Sequence, residues 1–188
     1  MTYEGYFAET QALLGESFTV KPPLSEFMIT GLHHTSFTVS NVDEAERFFV
    51  ELFGMVRIGG GNYDFDYIRK IIGFQEGSLK IAVLSPSRAR GDGSDHLLEL
   101  IEYCSPKGEV ADTATNRPGN AHLCFSVDDI HAEYERLKDK GVKFKSSPQQ
   151  VTFGINQGAW GVYANGPDHI ALELIQPKKP EQLPGHPA

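Results

Sequence analysis

The chain has 188 residues, with 17 basic against 25 acidic side chains for a formal net charge of −8, and is 40% hydrophobic and 22% charged. That size and balance suit one compact domain or two small ones and exclude collagen-like, coiled-coil and bulk disordered organisation. No apolar run reaches the roughly 18 residues of a membrane span, and the acidic balance gives phosphate backbones little attraction, so neither membrane nor nucleic acid is expected as a partner. Residues Met1 to Gly5 lack the positive start and apolar stretch of a secretory leader, and the chain has only two cysteines, Cys104 and Cys124; the expected address is a reducing cytoplasm.

Residues 1–29 form an appended arm, with one short helix expected from Phe7 to Leu14. Residues 30–104 form a first module. Its opening strand places Phe37 and Val39 on one face and His34, Ser36 and Thr38 on the other, because successive strand side chains alternate. Ser40 or Asn41 then caps a helix from Val42 to Phe53, which Gly54 stops. Gly59-Gly60-Gly61 is expected to be a flexible turn, since no Gly-Lys-Ser or GxGxxG pattern follows it to cradle a phosphate. Residues 62–77 form an insertion containing a short helix over Asp66 to Ile72. Leu79, Ile81 and Val83 alternate as core positions of the next strand and leave Lys80 on the face of His34. A turn from Gly93 to His96 leads into Leu97 to Tyr103, where Leu98 and Leu100 oppose Glu99 and Ile101.

After a polar linker, 105–119, the pattern starts again in a second module, 120–177, and the chain ends in a flexible tail, 178–188. The strand from His122 repeats the strand from His34, with Leu123, Phe125 and Val127 opposite His122, Cys124 and Ser126. Asp128 or Asp129 caps a helix from Ile130 to Lys140 before Gly141. Leu172-Glu173-Leu174-Ile175 repeats Leu98-Glu99-Leu100-Ile101, and each block is entered through a Gly-x-Asp-His turn. Two similar units in tandem account for this order better than local propensity does.

A carboxylate inside Leu-Glu-Leu-Ile is costly to bury unless it is paired or binds a metal. The arrangement occurs twice, each time with a histidine on the same face. Two imidazoles and two carboxylates, from His34, Glu99, His122 and Glu173, would form a mixed nitrogen and oxygen set for one divalent ion: zinc, nickel, cobalt, manganese or iron(II). His33 has the opposite parity and is expected not to ligate. Cys124 is expected to be a small thiol filling space, and His96 and His169 to be solvated turn residues. Trp160 and Tyr163 line the pocket or pack the core; alternation leaves that open.

The histidine-led strands, the Leu-Glu-Leu blocks and Asn165-Gly166-Pro167-Asp168 before the last strand resemble the vicinal oxygen chelate superfamily. It includes glyoxalase I, methylmalonyl-CoA epimerase, extradiol dioxygenases and bleomycin-resistance proteins, and the likeness spans about residues 30–177. The resemblance implies an α+β fold of tandem βαβββ modules forming an open mixed β-barrel or cup, with His34, Glu99, His122 and Glu173 at the ligand positions. The full set is more similar to bacterial glyoxalase I than to extradiol dioxygenases, which bind iron(II) with two histidines and one carboxylate. Methylmalonyl-CoA epimerases usually carry glutamine at the position of Glu99, and Lys80 stands near their second catalytic carboxylate.

The activity this implies is that of a divalent-metal-dependent epimerase or isomerase, similar to methylmalonyl-CoA or sugar-ketone epimerases. Such an enzyme abstracts a proton α to a carbonyl of a small chelating substrate, with Glu173 as base and Lys80 as opposing acid or anion binder. The alternatives are a glyoxalase I-type lactoylglutathione lyase, an extradiol-type dioxygenase and a non-catalytic small-molecule binding or resistance protein. A homodimer is expected, the cup being completed within one chain or by exchange between two.

Overall fold

The computed structural model describes residues 31–86 and 96–178. The helix expected over residues 7–14, most of the turn at 93–96 and the tail beyond residue 178 lie outside the described residues. The first module contains β1 (His34–Thr38), α1 (Val42–Phe53), β2 (Val56–Tyr63), α2 (Asp66–Ile72), β3 (Ser78–Ser85) and β4 (Leu97–Ser105). The second contains β5 (His122–Ser126), α3 (Ile130–Asp139), β6 (Lys143–Phe144), β7 (Gln149–Gln150), β8 (Trp160–Asn165), a 3-10 turn (Pro167–His169) and β9 (Ala171–Gln176). The sheets run β1-β4-β3-β2 and β5-β9-β8-β6, with β7 also pairing β8. In each, the histidine strand is an edge lying parallel to the glutamate strand. This is the α+β arrangement of paired βαβββ modules, each sheet remaining open. Among the described residues no helix is long and apolar enough to cross a membrane.

The helices start where their caps dictate. Asn41 Oδ1 accepts from the N–H groups of Asp43 and Glu44, and Asp129 Oδ1 does the same for His131 and Ala132, which satisfies donors that have no partner inside the helix. A second acceptor comes from the sheet. Glu102 Oε2 takes the Val42 N–H at 3.0 Å, and Gln176 Oε1 takes the Ile130 N–H at 2.9 Å. Gly54, at φ 65°, ends α1 in the left-handed conformation that a residue without Cβ adopts most readily.

Each helix buries its apolar stripe on one face of its own sheet. Val42, Ala45 and Phe49 pack with Ala82, Leu84, Leu98 and Leu100, while Ile130 and Leu137 pack with Val162, Ala164, Leu172 and Leu174. Each fully buried Phe or Leu contributes on the order of 2 kcal/mol. The two groups form one continuous core. Its seam is marked by the Phe125 ring, 4.7 Å from Phe53 and 6.4 Å from Phe49 between centroids. Arg136 donates to the Leu52 carbonyl, and the Ser40 N–H and hydroxyl both donate to the Asp168 carboxylate, at 2.7 and 2.6 Å.

A second cluster occupies the other face of the first sheet. Ile68 of α2 packs with Leu79 and Ile81, flanked by Tyr63, Val83, Ile101 and Tyr103. β3 is therefore buried on both sides, with Ala82 and Leu84 toward α1 and Leu79 and Ile81 toward α2. Gly59-Gly60-Gly61 is not a turn but part of β2, paired with β3. Gly60, at φ 110°, lies so close to β3 that an added Cβ would stand 2.1 Å from the Ile81 carbonyl oxygen. Glycine is required there for close approach.

Candidate metal centre

Strand register brings each histidine and glutamate onto one face. In the first sheet Ser36 and Val83 flank Glu99 on the neighbouring strands, so His34, two residues from Ser36, shares its face. In the second, Cys124 and Tyr163 flank Glu173, and His122 shares that face in the same way. These faces are opposite to α1 and α3, since the intervening Leu98, Leu100, Leu172 and Leu174 are buried in the main core, while α2 packs farther along the face of Glu99, on Leu79 and Ile81. His34 Nε2 lies 3.6 Å from Glu99 Oε2 and His122 Nε2 lies 3.0 Å from Glu173 Oε2. The imidazoles are 41% and 44% exposed and the carboxylates 22% and 21%, so solvent reaches the nitrogens while the strands hold the acids.

Two ligands each about 2.1 Å from one ion stand about 3.0 Å apart at a right angle and about 3.4 Å apart at a tetrahedral angle. Each pair thus has close to the spacing of two neighbouring ligands, and its donor types suit a borderline divalent ion. His33 contributes from the side. Its Nδ1 is 2.8 Å from His34 Nδ1, so a proton on the His34 Nδ1 can be donated to it, leaving the His34 Nε2 lone pair directed at the site. The four side chains are not gathered at one point within the chain. Among the described residues no group of three or more His, Cys, Asp or Glu is placed to hold a metal ion.

The sequence pattern of the Glyoxalase/Bleomycin resistance protein/Dioxygenase superfamily matches residues 31–174. The chain belongs to this superfamily. Among curated members it is 29% identical over 151 residues to the 2-epi-5-epi-valiolone epimerase of an Actinomyces species, covering 77% of this chain and 78% of that one. It is 27% identical over 148 residues to the lactoylglutathione lyase of Schizosaccharomyces pombe, covering 77% of this chain but only 46% of the relative. Among solved structures, a glyoxalase family protein from Bacillus cereus superimposes with a TM-score of 0.69 at 21% identity, over 84% of this chain and 100% of the other. An antibiotic binding protein from Streptomyces superimposes with a TM-score of 0.51 at 22% identity, over 81% and 99%. The two superpositions show the superfamily fold.

Several placements inside this superfamily fold differ from the sequence expectation. Lys80 is not on the face of His34. It lies opposite Glu102 on the α1 side, with its ammonium bonded to Asp43 in the first turn of α1. Leu79, Ile81 and Val83 alternate as core positions, but of the smaller core that α2 builds on the sheet face that carries Glu99. His96 is not merely solvated, since its Nε2 is 2.6 Å from Thr35 Oγ1. Cys124 is exposed as a residue and does not fill the core, although its sulfur is partly desolvated between the strands. Burial of its sulfur among the strands, and then the Glu173 carboxylate, push its thiol up to about 12.

The structure resolves Trp160 and Tyr163. Trp160 lies on the helix side against His131, while Tyr163 lies on the Glu173 side with its ring 5.3 Å from that of His122. Burial first, and the Glu173 carboxylate second, raise the Tyr163 phenol above its ordinary value. Tyr163 has the same parity as Glu173, but the turn at Pro167–His169 interrupts the strand between them, and the pairing of β8 with β9 is what sets the two directly opposite each other.

Proposed function

We propose that the protein is a divalent-metal-dependent epimerase or isomerase that moves a proton next to the carbonyl of a small chelating substrate. It would act as a homodimer in which His34 and Glu99 face the partner subunit's His122 and the partner subunit's Glu173. The observation that carries this reading is the pair of matched His–Glu couples, each at ligand spacing and each part-exposed on the sheet face that points away from the main core. Among the described residues no three such donors gather at one point, which supports a site shared with a second copy. The epimerase reading is favoured over the lyase because the Actinomyces epimerase aligns over most of its length, whereas the chain spans about half of the Schizosaccharomyces pombe lyase.

An ion held by His34, Glu99, His122 and Glu173 would polarise a chelated carbonyl and acidify the adjacent C–H. Glu173 is the group to collect that proton, as a carboxylate beside His122 with part of its surface open to solvent. Cys124 lies next to it on β5, and this reading assigns it no role as base or ligand. The hydroxyls of Ser36 and Ser126 project on the same faces and can hold substrate oxygens.

The test is metal analysis of the purified protein followed by proton NMR in deuterated water over a panel of α-hydroxy ketones, acyl-CoA thioesters and thiohemiacetals. Metal-dependent loss of the α-proton signal without cleavage is expected. Glu173→Gln should abolish exchange while weakening substrate binding far less. Exchange that ignores added metal, or turnover that survives Glu173→Gln, would overturn the proposal. Net conversion of thiohemiacetals alone selects the lyase, and oxygen consumption with iron(II) selects ring cleavage.

A further inference from the structure

Two rows of side chains cross the second sheet on the face of His122 and Glu173. β6 pairs with β8 so that Lys143 lies opposite Asn165, and the Lys145 N–H continues the ladder to the Tyr163 carbonyl. β8 pairs with β9 so that Asn165 lies opposite Ala171 and Tyr163 opposite Glu173, and β9 pairs with β5 so that these in turn meet His122 and Cys124. One row is Lys145, Tyr163, Glu173, Cys124; the next is Lys143, Asn165, Ala171, His122. Directly paired residues share a face, so both lysines stand on the ligand face at its outer edge. Neighbouring strands are about 4.8 Å apart, which puts Lys145 about 10 Å from Glu173 between backbones, and its side chain covers part of that gap.

Neither ammonium group has a carboxylate within ion-pair distance among the described residues. Lys145 Nζ has only the Thr115 hydroxyl at 3.4 Å and the Tyr163 ring at 6.0 Å. Lys80, Lys107 and Lys138 are matched with Asp43, Glu102 and Glu135; Lys70, Lys140 and Lys178 have no ion pair among the described residues either, so it is the position of Lys143 and Lys145 in register with the ligand face that sets them apart. In a chain of net charge −8 an anionic molecule is repelled overall, so two unneutralised cations in register with a metal ligand form a local exception. The first sheet presents the opposite character beside Glu99, with Val83, Ile81 and Ile101.

Resting on the metal-centre reading above, we propose that Lys145, assisted by Lys143, binds an anionic group of the substrate, a carboxylate or a phosphate, roughly 5–10 Å from the oxygens that chelate the ion. The substrate class is thus an α-oxygenated ketone carrying a remote negative charge, not a neutral polyol ketone.

Three probes share an α-hydroxy ketone end and differ in the far end: 1-hydroxy-2-butanone is neutral, 5-hydroxy-4-oxopentanoate carries a carboxylate and dihydroxyacetone phosphate a phosphate. Their dissociation constants are measured by calorimetry on the full chain, with and without added cobalt(II), and on the Lys145→Gln, Lys145→Arg and Lys143→Gln variants. At least one anionic probe should bind tenfold or more tighter than the neutral one. Lys145→Gln should erase most of that preference, Lys145→Arg should keep it, and Lys143→Gln should reduce it; the preferred anion tells phosphate from carboxylate. Equal binding of all three, or a preference untouched by Lys145→Gln, overturns the inference and leaves the lysines as guards of a sheet edge. Binding of all probes that is indifferent to cobalt(II) instead defeats the metal-centre reading, whatever the charge preference.

Discussion

The Lys80 ammonium is bonded to the Asp43 carboxylate on the α1 side of β3, and the residue that faces Glu99 across the β3–β4 ladder is Val83. Lys80 therefore ties the sheet to the first turn of α1, alongside Glu102, its cross-strand neighbour. It does not reach the face on which the histidines and glutamates stand.

Lys80→Gln is expected to leave metal content and proton exchange within about twofold of the parent, an effect the size of an ordinary surface substitution. Its signature is in acid. The Lys80 hydrogen bond holds Asp43 below its ordinary value of 3.8. A depressed carboxyl contributes stability above that value and loses it as pH falls through the folded one. Between ~pH 6 and ~pH 2 the urea midpoint of Lys80→Gln should decline less steeply than that of the parent. Loss of exchange in a folded Lys80→Gln protein would return Lys80 to the catalytic face.

Exchange of modules between subunits predicts rescue by mixing. His34→Ala and His122→Ala each damage every site when alone. A mixed dimer then has one doubly damaged site and one intact site, so random 1:1 mixing restores about a quarter of the parent's tight metal sites and exchange rate. Mixing after unfolding and refolding together, read by metal stoichiometry, checks this; no recovery would mean that each chain completes its own site.

The acceptors that reach back from the sheets carry a stability prediction. Glu102→Ala leaves the Val42 N–H without its side-chain acceptor and Gln176→Ala does the same for Ile130, at an expected cost of about 1–2 kcal/mol each in urea unfolding. Glu102→Gln, which copies the amide used in the second module, should recover most of the loss. A larger effect of Glu102→Gln than of Glu102→Ala would show that charge, not the hydrogen bond, matters there.

Gly60→Ala places a methyl group 2.1 Å from the Ile81 carbonyl oxygen at a φ of 110°. The clash and the strained backbone should together cost about 2 kcal/mol or more. Gly108→Ala, with nothing within 4 Å of the added atom, should stay within about 0.5 kcal/mol of the parent. Parallel thermal unfolding of the two variants compares them directly.

The sequence by itself was enough for the duplicated module, the capped helices and the common face of His34 with Glu99 and of His122 with Glu173. β1, β4, β5 and β9 each have their main-core helix on one side only, so the period-two alternation of Phe37, Leu98, Leu100, Leu172 and Leu174 marks the face that the ligand residues avoid. β3 broke the rule, because α2 buries its second face and apolar residues then occur at both parities, which moved Lys80 to the other side. The face of Lys145 is not legible in the sequence because β6 is a two-residue strand, too short to show any period. The separation of the four donors into two couples was decided only by tertiary structure. Alternation is a property of one strand and its neighbours, whereas the meeting of two sheet faces depends on how whole modules pack, through contacts such as Phe53 with Phe125 and Ser40 with Asp168 that join residues far apart in the chain.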